Sequence, residues 1–180
     1  MIQRLTRAFV FALTAPAVTI GGATNVALRM TASIQNSALE VRWVNESAST
    51  LLINMGSMMG DHPLYAVRLS VDGISKENQP LAIGSAPGAI EGRIDPWVIV
   101  LPAASEYILK FPLNSLLFRD GSNLESSKSK QWTLKVSFAG RNGYDVAPGG
   151  RKVKYSITQN GETTIPFWTG TLRTEVRRPN

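Results

Sequence analysis

The sequence predicts an all-β protein, an antiparallel β-sandwich of seven or more strands with little helix. Three observations carry that expectation. Apolar and polar residues alternate with period two through most of the chain, which gives each strand one apolar and one polar face. Turn punctuation recurs at short intervals, in "VDGIS", "SAPGA", "RDGSN", "APGGRK" and "QNGE". Helical periodicity is nearly absent: only "NSLLFRD", residues 114–120, is compatible with one or two turns.

The chain opens on "MIQRLTRAFVFALTAPAVTIGGA". Arg4 and Arg7 form a basic start, residues 8–20 an apolar run, and Gly21-Gly22-Ala23 a small-residue site, the pattern of a secretory signal peptide over residues 1–23. The apolar run falls short of the ~20 residues that cross a bilayer. No later segment reaches that length, so no membrane span is expected after cleavage. Residues 24–37 show no clear period and read as a flexible lead-in, with the sandwich domain over 38–180.

Strands follow in order. In "LEVRWVN", Leu39, Val41 and Trp43 oppose Glu40 and Arg42. "TLLINMG" is a second strand, with Leu52 and Met55 on opposite faces. "YAVRLSV" places Tyr65, Val67, Leu69 and Val71 on one side. "WVIVL", residues 97–101, is apolar throughout, as expected of a strand covered on both faces. "EYILKF", "WTLKVSF", "KVKYSI" and "TLRTEV" resume the alternation. Asn160-Gly161 marks a hairpin, because a type I′ turn needs positive φ at both central residues. Pro166 implies a bulge or an edge position.

The strand order "LEVRWVNESASTLLINMG", "YAVRLSVDGIS" and "VIVLPAASEYILKF" resembles the immunoglobulin-like β-sandwich modules of bacterial exported proteins. It is distantly similar to the bacterial proteinase-inhibitor modules of that fold. The likeness covers roughly residues 39–140. It implies an immunoglobulin-like sandwich, and the second group raises protease inhibition as a possible activity. Ala103-Ala104 stands where those inhibitors carry a glycine in the "LP-x-G" turn, and no functional residue is transferred.

Composition narrows the chemistry. The chain has no cysteine, which excludes a thiol nucleophile, a Cys-ligated zinc site and an iron–sulfur cluster. Its single histidine is His62, and no Gly-x-Ser-x-Gly elbow surrounds a serine. No catalytic residue is named, and neither an enzyme nor a cofactor is expected. "DGSNLE", residues 120–125, has oxygen donors without the calcium-loop spacing and reads as a turn. "NES", residues 45–47, is a glycosylation sequon.

Charge is uneven. Residues 126–180 carry ten Lys/Arg against three acids, whereas residues 24–90 carry four against five. The basic end, with Arg151, Lys152 and Lys154, is either a partner-binding surface or a set of lysine-protected edge strands. Aromatic residues fall on the apolar faces rather than among the basic residues, and export is expected, so nucleic acid is not an expected partner.

"NMGSMMGDHP", residues 54–63, gathers Met55, Met58, Met59 and His62. Thioether and imidazole donors suit Cu(I), so these four are the candidate metal ligands. The other reading is a connecting loop, with Met55 filling the core. "IEGRIDPW", residues 90–97, presents Arg93 to a protease cleft or simply enters the next strand. Three functions follow. The foremost is a secreted or periplasmic, non-catalytic module that binds a protein or envelope component. The others are a protease inhibitor presenting Arg93 and a copper-binding protein using Met58, Met59 and His62.

Overall fold

Period-two ribbons must lay their apolar faces together, and the computed structural model shows how they pair. It describes residues 28–60, 62–74, 77–84, 94–127, 131–141, 144–147, 151–154, 158–159 and 163–178. The leader, residues 24–27 and Arg93 lie outside the described residues. The described chain is nearly all β, in several antiparallel sheets, a sandwich-like arrangement.

The strands are β1 (Leu28–Gln35), β2 (Ala38–Asn45), β3 (Leu51–Met59), β4 (His62–Tyr65), β5 (Val67–Asp72), β6 (Gln79–Ile83), β7 (Ile94–Leu101), β8 (Glu106–Pro112), β9 (Leu116–Leu117), β10 (Thr133–Ala139), β11 (Tyr144–Ala147), β12 (Arg151–Lys154), β13 (Thr158–Gln159), β14 (Thr163–Thr164) and β15 (Thr171–Arg177). Three sheets build the body: β1-β2-β8, β4-β3-β7 and β15-β10-β5-β6-β9. Strands β11-β12 and β13-β14 form two small ribbons between β10 and β15.

Three expectations change. The flexible lead-in is a strand: β1 pairs with β2 along its whole length, from Leu28↔Asn45 to Gln35↔Ala38. Leu28 and Met30 are buried, and Ala32 and Ile34 pack against the core, but small Ala32 and the Thr/Ser partners flatten the alternation. The hairpin turn is Asn36-Ser37, with φ of 48° and 57°, the backbone a type I′ turn demands without its usual glycine. The helical reading of residues 114–120 shrinks to one 3-10 turn, Leu113–Ser115, followed by β9. The strand expected to be covered on both faces is an edge. Among the described residues β7 pairs only with β3, and Val100 is 49% exposed.

The core joins the inner faces of these sheets. Trp43 is fully buried and meets Phe138 edge-on at 5.5 Å, which ties β2 to β10 across the layers. Tyr65 meets Phe111 edge-on at 5.0 Å. Full burial of each large apolar side chain stabilises by ~1.5–3 kcal/mol. Trp168 stacks on Phe138 at 5.8 Å, and its ring fills the space where a Cβ on Gly140 or Gly170 would stand. The segment before it runs beside β3. Leu52 donates its N–H to the Pro166 carbonyl and accepts from the Trp168 N–H.

One corner connects the two layers. The chain passes from β2 to β3 and from β7 to β8 through two arches that lie side by side, because β2 pairs with β8 and β3 with β7. Asn45 sits in that corner with no exposed surface. Its Nδ2 donates to the Ser49 carbonyl at 2.8 Å in one arch and to the Leu101 and Pro102 carbonyls at 2.9 Å in the other. Its Oδ1 accepts the Ser47 N–H at 3.0 Å and the Ser47 hydroxyl at 2.6 Å. Ala104, in the second arch, has a φ of 54°, left-handed backbone that a Cβ disfavours.

Two stability outcomes follow from the corner. Asn45→Ala removes a fully buried amide that donates to three carbonyls and accepts two bonds from Ser47, and should cost roughly 2–3 kcal/mol in denaturant unfolding. Ala104→Gly relieves the left-handed strain at some entropic cost, and should raise stability by roughly 0.5–1 kcal/mol. A loss on glycine substitution would show that the Ala104 methyl packs favourably.

Candidate functional site

Strands β3 and β4 form a hairpin whose register places the methionines. Met59 pairs with His62 and Met58 with Pro63, with Gly60 at φ 56° opening the turn. Cross-strand partners share a face, and neighbours along a strand face opposite ways. Met59 and His62 therefore stand on one face and Met58 on the other. Met55 is fully buried in the core. It is the extra residue of a β-bulge between Asn54 and Gly56, its carbonyl accepting the Ala66 N–H at 2.7 Å. Gly56 is required there: its φ is 132°, and a Cβ would lie 1.9 Å from the Leu64 carbonyl oxygen. The four candidate ligands are thus divided among the core and two faces. Among the described residues no group of three or more His, Cys, Asp or Glu could hold a metal ion.

The same register defines the outer face of the β4-β3-β7 sheet. Leu52 pairs with Val100, Asn54 with Val98, and Met59 with both Ile94 and His62. Leu64 lies on this face as well, opposite Ser57. The large hydrophobics that stand exposed among the described residues are Leu64, Ile94 and Val100, at 39%, 46% and 49%. All three belong to this one face. It is bounded by β7, whose eight residues carry a single charge, Asp95, and no lysine.

The other edges are defended differently. Strand β8 carries Glu106 and Lys110, paired with Arg42 at 2.6 Å and Glu40 at 2.7 Å. Strand β15 carries Arg173, Glu175 and Arg177, and lies against β1. Charge and cover are the usual protections of an unpaired strand. Strand β7 carries one acid, Asp95, and among the described residues pairs with β3 alone.

The outer face of the five-stranded sheet is polar. Lys135 binds Asp72 at 2.5 Å and Asn78 Oδ1 at 2.9 Å. The Lys135 hydrogen bond, helped by the Asn78 N–H, holds the Asp72 carboxyl below the usual carboxylate range. The same bond pushes the Lys135 ammonium up. At the end of this sheet an open cleft of about 500 Å³ is lined by Asp72, Gly73, Trp132, Arg177 and Arg178, with the Arg178 guanidinium 5.8 Å from the Trp132 ring centre.

The chain matches no protein-family model, no curated protein and no solved structure. Its own geometry therefore carries the functional reading. Arg151, Lys152 and Lys154 lie in β12, paired with β11. The expected Asn160-Gly161 turn lies outside the described residues; the strands on either side, β13 and β14, pair Gln159 with Thr163. Asp120 is turned in on itself, accepting the N–H and hydroxyl of Ser122 at 3.0 and 2.6 Å. The sequon asparagine is Asn45: its Nδ2, the atom a glycan would occupy, is buried and spent on three carbonyls. Among the described residues no helix is long and apolar enough to cross a membrane. Sequence reasoning missed Leu64, Ile94 and Val100 as a surface. An uncharged run like "WVIVL" was the available signal, but a buried strand and an unprotected edge share it.

The Asp72–Lys135 pair sets a pH dependence. A carboxyl with a depressed folded-state pKa contributes stability that is present above its unfolded pKa of about 3.9 and lost as pH falls through the folded value. The stability gap between the protein and Asp72→Asn should therefore be full at pH 6 and shrink on acidification below about pH 4. A gap that stays constant to pH 2 in chemical unfolding would contradict this assignment.

Proposed function

We propose that the protein is an exported, non-catalytic binding module that receives an extended segment of a protein partner along β7. The observation that carries this reading is the coincidence of an unprotected edge with the apolar face. Among the described residues β7 pairs with β3 alone, and Ile94 and Val100 stand exposed beside it. An added strand would continue the ladder with main-chain hydrogen bonds, and alternate side chains would meet the apolar face. The partner's segment is therefore one with apolar residues at every second position.

The leader pattern of residues 1–23 supports export. Trp97 and Ile99, on the inner side of β7, are only partly buried, so an added strand would extend core and outer face together. Arg93, which lies outside the described residues, directly precedes β7 in the sequence.

The test uses Ile94→Lys with Val100→Lys, both at exposed positions. Surface changes of this kind move stability by about 0.5 kcal/mol or less each. Immobilised protein should retain a specific partner from an envelope extract of its host, and the double variant should lose it while melting within a few degrees of the parent. The reading fails if both capture the same proteins, or if neither captures any.

A further inference from the structure

The outer face of the five-stranded sheet contains one cross-strand row unlike the others. Ser137, on β10, stands opposite Arg68 on β5 and opposite Arg173 on β15. Directly opposed residues place their Cβ atoms ~4.5–5.5 Å apart on one face. Two guanidinium stems therefore rise on either side of one serine hydroxyl.

The neighbouring rows explain why this one is left unneutralised. The next row is Ser70, Lys135 and Glu175; Lys135 is committed to Asp72 and Asn78, and Glu175, the acid nearest Arg173, stands opposite Lys135, whose ammonium it also favours. The row beyond is Asp72, Thr133 and Arg177. On the other side stand the small residues Ala139 and Thr171. Arg68 and Arg173 are both exposed, and neither forms an ion pair among the described residues. The two like charges are held across three strands, about 10 Å apart at their backbones, close enough for one anion to reach both.

The chemistry of the row selects the anion. Guanidinium groups bind oxyanions through two parallel N–H bonds each, and the serine hydroxyl, now in a long 3.5 Å contact with the Arg68 carbonyl, can rotate to add a further donor. A carboxylate has two oxygens, both used by one such fork. A phosphoryl or sulfate group has at least three acceptor oxygens and serves both arginines and the hydroxyl at once. We propose that Arg68, Ser137 and Arg173 form a binding site for a phosphate or sulfate group. The site is on a different sheet from β7, so its failure would leave the edge-strand reading untouched.

The test follows the Ser137 backbone amide by NMR during titration of the purified protein with inorganic phosphate or sulfate at low ionic strength. A saturable shift is expected, and Arg68→Gln or Arg173→Gln should each weaken binding about tenfold, as loss of a charge-assisted bond implies. Ser137→Ala should weaken it less. Arg177→Gln, on the same face but two rows away, should change it less than twofold by screening. No saturable shift, or equal losses in Arg177→Gln and Arg68→Gln, would overturn the site in favour of diffuse attraction. The source of the group is read in a second arm with phosphatidylcholine vesicles containing phosphatidic acid. Vesicle binding that disappears in the double arginine variant assigns the group to a lipid headgroup. Saturation by inorganic phosphate without vesicle binding assigns it to a soluble phosphate.

Discussion

The amide of Asn45 is the interaction on which the arrangement of the layers depends. Two strand pairs, β2 with β8 and β3 with β7, leave one sheet and enter another through adjacent arches. Arches expose carbonyls that no ladder satisfies, and burying them unpaired is costly. Asn45 meets three of them with one NH₂ group while its carbonyl oxygen takes both donors of Ser47. Aspartate has no donor to offer and serine has only one, so asparagine is the side chain that fits. The sequence "NES" is thus explained by folding: its serine closes the asparagine's own turn.

That corner fixes what lies at the surface. With β8 assigned to the β1-β2 sheet, β7 is left at the margin of β4-β3-β7. Its inner residues Trp97 and Ile99 reach the core, and Trp97 meets Tyr65 at 5.6 Å. Of its outer residues, Ile94 and Val100 stand exposed. The marginal position of β7 among the described strands is thus a consequence of how the arches divide them, and the proposed partner segment would add a strand on that side.

Much of the fold was legible, because burial on one face imposes period two on β2, β5, β8, β10 and β15 whatever their neighbours. The failures have separate causes. Strand β1 was hidden by Ala32, whose small side chain packs on the core without raising the apolar contrast, and by a turn in which Ser37 takes the positive φ expected of glycine. Strand β6 was hidden by Pro80, tolerated on a short five-residue strand. Strand β7 was recognised as a strand and misplaced, since its environment depends on pairings distant in sequence. The Met-rich stretch shows the same limit. Spacing gathers Met55, Met58, Met59 and His62, but the bulge leaves Met55 in the core, and strand alternation puts Met58 on the face opposite Met59 and His62.

The outer surfaces differ most in how far their charges are already spent. On β1-β2-β8 the arginines and lysine are matched: Arg29 with Glu46, Arg42 with Glu106, and Lys110 with Glu40. Exposed pairs of this kind add little stability, but they leave no net charge to attract a ligand. On β5-β10-β15, Lys135 is similarly matched, while Arg68 and Arg173 are not. The excess of basic residues after position 126 is therefore not spread evenly as solubilising charge. Part of it lies in one row with a hydroxyl at its centre, where separation across β10 prevents the two arginines from being neutralised by a single side chain of the sheet. A group from outside the sheet that bridges both would need several acceptor oxygens, which is the physical ground for proposing a multidentate oxyanion there.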